Sequence, residues 1–125
     1  MLIDTDVLIW NLRGNTNAAD LLDNAGGFTL SAVSYMELVQ GVRNKADLRT
    51  LRKALQYWKA SISPIDSEIS TRAMFLMETY ALSHNLQMAD ALIASTAISL
   101  GELLVTANDK HYRMIEELEI KVFRP

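Results

Sequence analysis

At 125 residues, 50% of them hydrophobic and 22% charged, the chain has the apolar content of a single globular domain and too little charge to be disordered. It holds no cysteine, which excludes disulfides, thiolate metal sites and a thiol nucleophile. A formal charge of −3 makes no global case for a nucleic-acid partner, no apolar stretch is long enough to span a bilayer, and the acidic opening MLIDTDVLIW does not read as a secretory leader, so a cytoplasmic location is expected.

In chain order, the first strand-like run is Met1–Ile3, followed at once by Asp4 and Asp6 and by a helix expected to begin near Val7. A second run, Phe28–Leu30, leads into SAVSYMELVQGV, where Glu37 is the only charged residue between Asp23 and Arg43. Residues 43–59 hold six cations against Asp47 alone. Within them the spacing predicts a helix from Lys45 to Trp58, with Leu48, Leu51, Leu55 and Trp58 as an apolar stripe and Lys45, Arg49, Arg52 and Lys53 on the opposite face. A third strand is expected at Ile62–Ile65. The helix after Pro64 would be capped by Asp66, show Ile69, Ala73, Leu76, Met77, Tyr80 and Ala81 on one face, and close at His84-Asn85. The next helix runs from Met88 to Leu100, with Gly101 as its C-terminal glycine, and Asp90 is its only charge. Strands at Leu103–Thr106 and Ile120–Phe123 complete the series.

Alternation of this kind predicts an α/β fold in three layers: a central, mostly parallel sheet covered by helices on both faces, one domain over residues 1–125. Chemistry in such sheets gathers beyond the carboxyl ends of the strands, and Asp4, Asp6 and Asp109 lie just past strand-like runs. Asp4, Glu37 and Asp90 stand in segments without Lys or Arg. Two carboxylates about 4 Å apart repel by roughly 4 kcal/mol at an effective dielectric of 20, and a divalent cation would relieve this. With oxygen ligands, no Cys and no well-placed His, Mg²⁺ or Mn²⁺ is favoured over zinc. Each acid also has a plainer reading: Asp4 or Asp6 as a helix cap, Glu37 as a partly exposed helix residue, Asp90 as a partner of a helix N-terminus. His84 and His111 read as surface or structural residues.

Four motifs carry a resemblance. LIDTDVLI resembles the opening strand and turn of PIN-domain ribonucleases, SAVSYMELVQGV their second motif with a Ser three residues before a Glu, MADALIASTA the third, and LLVTANDKHY the fourth, Thr-x-Asn/Asp followed by a His and an aromatic residue. Order, spacing and length are similar to those of the small VapC-type toxins, over essentially the whole chain. The resemblance implies a PIN-like, Rossmann-like fold and a metal-dependent endoribonuclease that acts on RNA and is held inactive by a cognate antitoxin. Carried over, Asp4, Glu37 and Asp90 would bind the metal, with Asp109 as a further catalytic acid and Thr5, Asp6, Ser34, Thr106 and Asn108 as supporting polar groups. The family often has Asn where Asp6 stands, and Asn108, not Asp109, occupies the Thr-x-Asn/Asp position.

The basic face of the 45–58 helix, with Arg43 before it, could track an RNA backbone. A homodimer is expected from the resemblance, with Trp10, Tyr57 or Phe75 as candidate contacts. Two other readings compete. LIDTDVL also fits the first motif of haloacid-dehalogenase-like phosphatases, with Asp4 as nucleophile and Asp6 as general acid, but this leaves Glu37 and Asp90 unexplained. A non-catalytic RNA- or protein-binding module on the same fold would have no use for three embedded acids.

Overall fold

The computed structural model describes residues 1–125. Strands β1 (Leu2–Ile3), β2 (Phe28–Ser31), β3 (Ala60–Ser63), β4 (Leu104–Thr106) and β5 (Ile120–Val122) form one sheet in the order β3-β2-β1-β4-β5, parallel at every pair. The crossovers supply six helices: α1 (Thr5–Leu12), α2 (Thr16–Asn24), α3 (Ala32–Gln40), α4 (Lys45–Tyr57), α5 (Ser67–His84) and α6 (Met88–Leu100).

The alternating strand pleat divides the core into two. Leu2 and Leu104 face Ala73 and Leu76 of α5 and Ala91, Ala94 and Ala97 of α6, while Ile3 and Val105 face Val7 and Leu8 of α1, Leu22 of α2, and Leu51 and Leu55 of α4. These central strands are therefore buried on both sides, with adjacent apolar residues at Leu2-Ile3 and Leu104-Val105, which is why they read as runs rather than as alternations. The chain builds outward from β1 to β3 on one side, then returns to β4 and β5 on the other. The strand order thus reverses between β1 and β4, and the crevice beyond their carboxyl ends is where such sheets hold ligands.

Most elements fall where the sequence puts them. Asp66 Oδ1 accepts from the Ile69 amide at 2.8 Å as the cap of α5, and Gly101, at φ 64°, closes α6 in the left-handed conformation. Three details differ. The third strand occupies Ala60–Ser63 rather than Ile62–Ile65, because Lys59, at φ 55°, turns the chain directly after α4 and Pro64, lacking an N–H, ends the pairing. Helix α2 was not anticipated; Asn15 Oδ1 starts it by accepting from the Ala18 amide at 2.9 Å. Helix α1 starts at Thr5, two residues ahead of Val7, with Asp4 as its cap. On α4, Leu51 and Leu55 are buried, as is Trp58 just past its end, and Lys45, Arg49, Arg52 and Lys53 are exposed, as the amphipathic pattern requires. Tyr57 and Phe75 are exposed, whereas Trp10 is half-buried. No helix is long and apolar enough to cross a membrane.

Candidate active site

The register of β1 with β4 pairs Ile3 with Val105, which sets the next residues, Asp4 and Thr106, side by side at the strand-order reversal. Both are buried. Asp4 Oδ1 accepts from the Thr5 amide at 2.8 Å, and its Oδ2 accepts from the Thr106 hydroxyl at 2.8 Å. Asp4 is therefore a helix cap and a member of the acidic site at once; the two readings are not alternatives. Burial, then the charge of Asp6, push its carboxyl up to about 7.

Asp6 reaches across from α1 to the turn after β4. Its Oδ2 accepts from the Ala107 amide at 3.0 Å and from Asn108 Nδ2 at 3.0 Å, so it ties the two carboxyl-end turns together. Its other oxygen, Oδ1, is buried and has no hydrogen-bond partner. Burial raises the Asp6 pKa, the Ala107 amide opposes that rise, and the charge of Asp90 adds to it.

Asp90 enters from the first turn of α6. Its Oδ1 accepts from the Tyr112 hydroxyl at 3.1 Å, and its Oδ2 lies 3.2 Å from His111 Nδ1. Glu37 approaches from α3. Thr5 Oγ1 lies 2.8 Å from Glu37 Oε1 and 2.8 Å from Ser34 Oγ. Thr5 has one hydroxyl proton and the carboxylate can only accept, so Thr5 donates to Glu37 and accepts from Ser34.

The structure thus brings Asp4, Asp6 and Asp90 together, joins Glu37 to them through Thr5, and lines the site with Ser34, Thr106 and Asn108. No lysine or arginine pairs with any of the four acids; the chain's ion pairs to Lys or Arg side chains lie elsewhere. The carboxylates are less uniformly buried than their apolar sequence neighbours imply. Asp4 is buried and Asp90 partly so, but Glu37 is exposed, because helical rotation turns Val33 and Leu38 into the core and Glu37 out of it. Asp109 is held 3.7 Å from Arg124, and Asn108 is the side chain of that turn that reaches Asp6. His111 and His84 are both exposed, in keeping with the sequence reading; His111 lies beside Asp90 and His84 at the end of α5. Tyr112 was missed as a site residue. The aromatic position of the fourth motif pointed to it, but nothing in the sequence distinguishes a hydroxyl aimed at an acid from a ring that only fills space. None of the cations Arg43, Lys45, Arg49, Arg52 and Lys53 forms an ion pair with these acids; Arg43 pairs with Asp47 at 3.0 Å.

A residue set of this kind suits a hard divalent cation. All its donors but His111 are oxygens. Each oxygen of Asp4 and Asp90 that accepts one hydrogen bond retains a second lone pair, and Asp6 Oδ1 has none engaged. The side chains do not already close into a three-residue coordination cluster. What they offer a cation is unengaged carboxylate oxygen, Asp6 Oδ1 foremost, with no Lys or Arg paired to it.

A model of the PIN domain matches residues 1–117. The chain belongs to the PIN-domain family. It is 37% identical over 123 residues to Ribonuclease VapC10 of Mycobacterium tuberculosis, covering 95% of this chain and 90% of that one, which places it with the VapC-type members. Among solved structures, a toxin-antitoxin complex from Klebsiella pneumoniae matches at 27% identity with a TM-score of 0.75, covering 94% of this PIN domain and 93% of that chain. VapBC-1 from nontypeable Haemophilus influenzae matches in fold, with a TM-score of 0.80 at 19% identity over 97% of this chain and 96% of that one.

Proposed function

We propose that this PIN domain is an endoribonuclease that depends on Mg²⁺ or Mn²⁺, and that it is the toxin of a toxin–antitoxin pair in the cytoplasm. The observation that carries the reading is the convergence of Asp4, Asp6 and Asp90 at the strand-order reversal with no Lys or Arg to neutralise them and with Asp6 Oδ1 buried and unpartnered. The ribonuclease name of its VapC relative and the toxin–antitoxin complexes among its structural neighbours support it.

Asp4 and Asp90 would hold the cation, with Asp6 Oδ1 as a further donor, Glu37 at the open side, and Asn108 rather than Asp109 serving the fourth position. When bound, the cation supplies a water ligand of lowered pKa and neutralises charge at the scissile phosphodiester. The chain's own groups do the positioning. The Thr5 amide and Thr106 hydroxyl fix Asp4, Thr5 fixes Glu37, and Glu37 keeps Oε2 free to take a proton from an attacking water. The exposed cations of α4 guide the RNA backbone.

A groove of about 510 Å³ opens from Glu37 between α1, α3 and α4, floored by Ile9, Leu12, Leu38, Val42, Leu51 and Ala54 and edged by Arg13 and Arg43. We assign it to a segment of the cognate antitoxin, which blocks the acids by lying across Glu37. Exposed Met74 and Phe75 on α5 are candidate contacts of a homodimer. Glu37 and Asp90, idle in a phosphatase, both belong to this site, which favours the nuclease over the Asp4/Asp6 phosphatase.

The test is cleavage of structured RNAs by the purified protein, freed of any antitoxin, with Mg²⁺ or Mn²⁺. Asp4→Asn and Asp90→Asn are expected to lose more than about 100-fold in rate, beyond the 10–100-fold typical of residues that merely support metal ligands. Cleavage that survives chelation, or phosphate release from small phosphomonoesters with no RNA cleavage, would refute the reading.

A further inference from the structure

Tyr112 follows the short 3₁₀ turn Asp109–His111 and has no solvent-exposed surface. Its ring packs with Leu2, Ala91, Ala94 and Leu104 between the sheet and α6. That packing explains an aromatic residue at this position but not a hydroxyl, since phenylalanine would fill the same volume. A buried phenol needs a hydrogen-bond partner. This one donates to Asp90 Oδ1 at 3.1 Å, with Asp4 also against it. The hydroxyl thus sits between two acids contributed by distant parts of the chain, one at the end of β1 and one on α6.

We infer that Tyr112 is a positioning residue for the cation site, orienting Asp90 and spacing it from Asp4. The inference rests on the metal-dependent reading above. Asp90 has two side-chain partners. His111 is half-exposed, so its hold is weakened by solvent, whereas the Tyr112 hydroxyl acts inside the protein, where a hydrogen bond is electrostatically stronger. The chemistry of the spacer matters as much as its place. An ammonium or guanidinium between Asp4 and Asp90 would hold them equally well but cancel the charge that attracts a divalent ion. A methyl or phenyl edge would keep the charge and let Asp90 turn. A phenol separates the carboxylates, fixes one of them and brings no positive charge.

The test is calorimetric titration of Mn²⁺ into the wild-type chain, Tyr112→Phe and Asp4→Asn at one pH, with circular dichroism to establish folding. Wild type should bind, Asp4→Asn should lose most of the affinity, and Tyr112→Phe should fold and bind about tenfold more weakly, as removing an outer partner of a metal ligand typically does. Equal or tighter binding by Tyr112→Phe beside a binding wild type overturns the positioning role and leaves the metal site standing. A wild type that binds no divalent ion overturns both. An independent reading comes from wild-type protein labelled at tyrosine ¹³Cζ and titrated with Mg²⁺. One of its four tyrosine signals should shift in step with binding; binding with no tyrosine shift overturns the inference even if Tyr112→Phe does not fold.

Discussion

Asp47 sits in the first turn of α4 with Arg43 Nε 3.0 Å from its Oδ2, whereas Asp4, at the N-cap of α1, has only uncharged partners, among them the Thr5 amide and the Thr106 hydroxyl. Asp47 is held below the usual carboxylate range, first by its hydrogen bond from the Arg43 side chain. Asp4 is driven up to about 7, first by burial. Both lie at helix starts, where a negative charge is favoured, so the helix does not account for the contrast. A fixed cation nearby does. Where the protein supplies one, the carboxylate is satisfied and chemically idle; where it does not, the site stays electronegative and open to an ion from solution.

The contrast should be broken most strongly by pH. In chelator, the native state holds the Asp4 proton more tightly than the unfolded chain, whose carboxyl titrates near its ordinary 3.8. Stability from this group is therefore complete below about pH 4 and falls as pH rises toward 7, by on the order of 4 kcal/mol. Thermal unfolding from pH 4 to 7.5 should show that decline, and Asp4→Asn should flatten it. Asp47→Asn should leave it in place, because a lowered carboxylate acts in the opposite sense and only below its ordinary pKa. A wild type whose stability is level across that interval would mean that Asp4 stays ionised and compensated in the native state.

Divalent cations should act on the same difference from the other side. At about 100 times the dissociation constant, Mg²⁺ or Mn²⁺ should add roughly 2.7 kcal/mol of stability at neutral pH. Asp90→Asn should shrink that gain while costing little in chelator, since one of a set of mutually repelling charges is gone. Asp47→Asn should respond to the ion like wild type. A full response in Asp90→Asn would remove Asp90 from the cation site.

How far the sequence could be read follows the same physics. The sheet was legible because parallel strands buried on both faces leave short apolar runs, and the crossover helices carry their own caps, such as Asp66 and Gly101. Strand β3 was misplaced because it is an edge strand whose Ile62 is exposed, so apolar residues do not mark its ends. The acids stood out as charges with no opposite charge nearby in the chain, and that property survives folding. Their degree of burial was not legible, since an apolar neighbour one position away on a helix points about 100° elsewhere, as Glu37 beside Leu38 shows. Hydrogen-bond identity was the least legible. Asp6 joining Asn108 across the turns after β1 and β4, and Tyr112 joining Asp90 of α6, depend on side-chain directions between segments distant in the chain, and no local pattern encodes them.

The smallest effect concerns the cations themselves. Lys45, Arg49, Arg52 and Lys53 form no ion pairs with protein carboxylates, while Arg43 is already paired with Asp47. If free cations meet RNA phosphates, each one neutralised should lower the salt dependence of binding by somewhat under one counterion, so the double change Arg49→Ala and Arg52→Ala should reduce the slope of log affinity against log salt by roughly 1.5. Arg43→Ala should reduce it less, because its charge is partly spent on Asp47 and removing it frees a negative group in exchange. Fluorescence anisotropy with a catalytically inactive Asp4→Asn chain, across a series of salt concentrations, measures all of this without cleavage. Equal slopes for the double variant and its parent would take α4 out of the RNA path and leave the acids to act on a substrate held by some other surface.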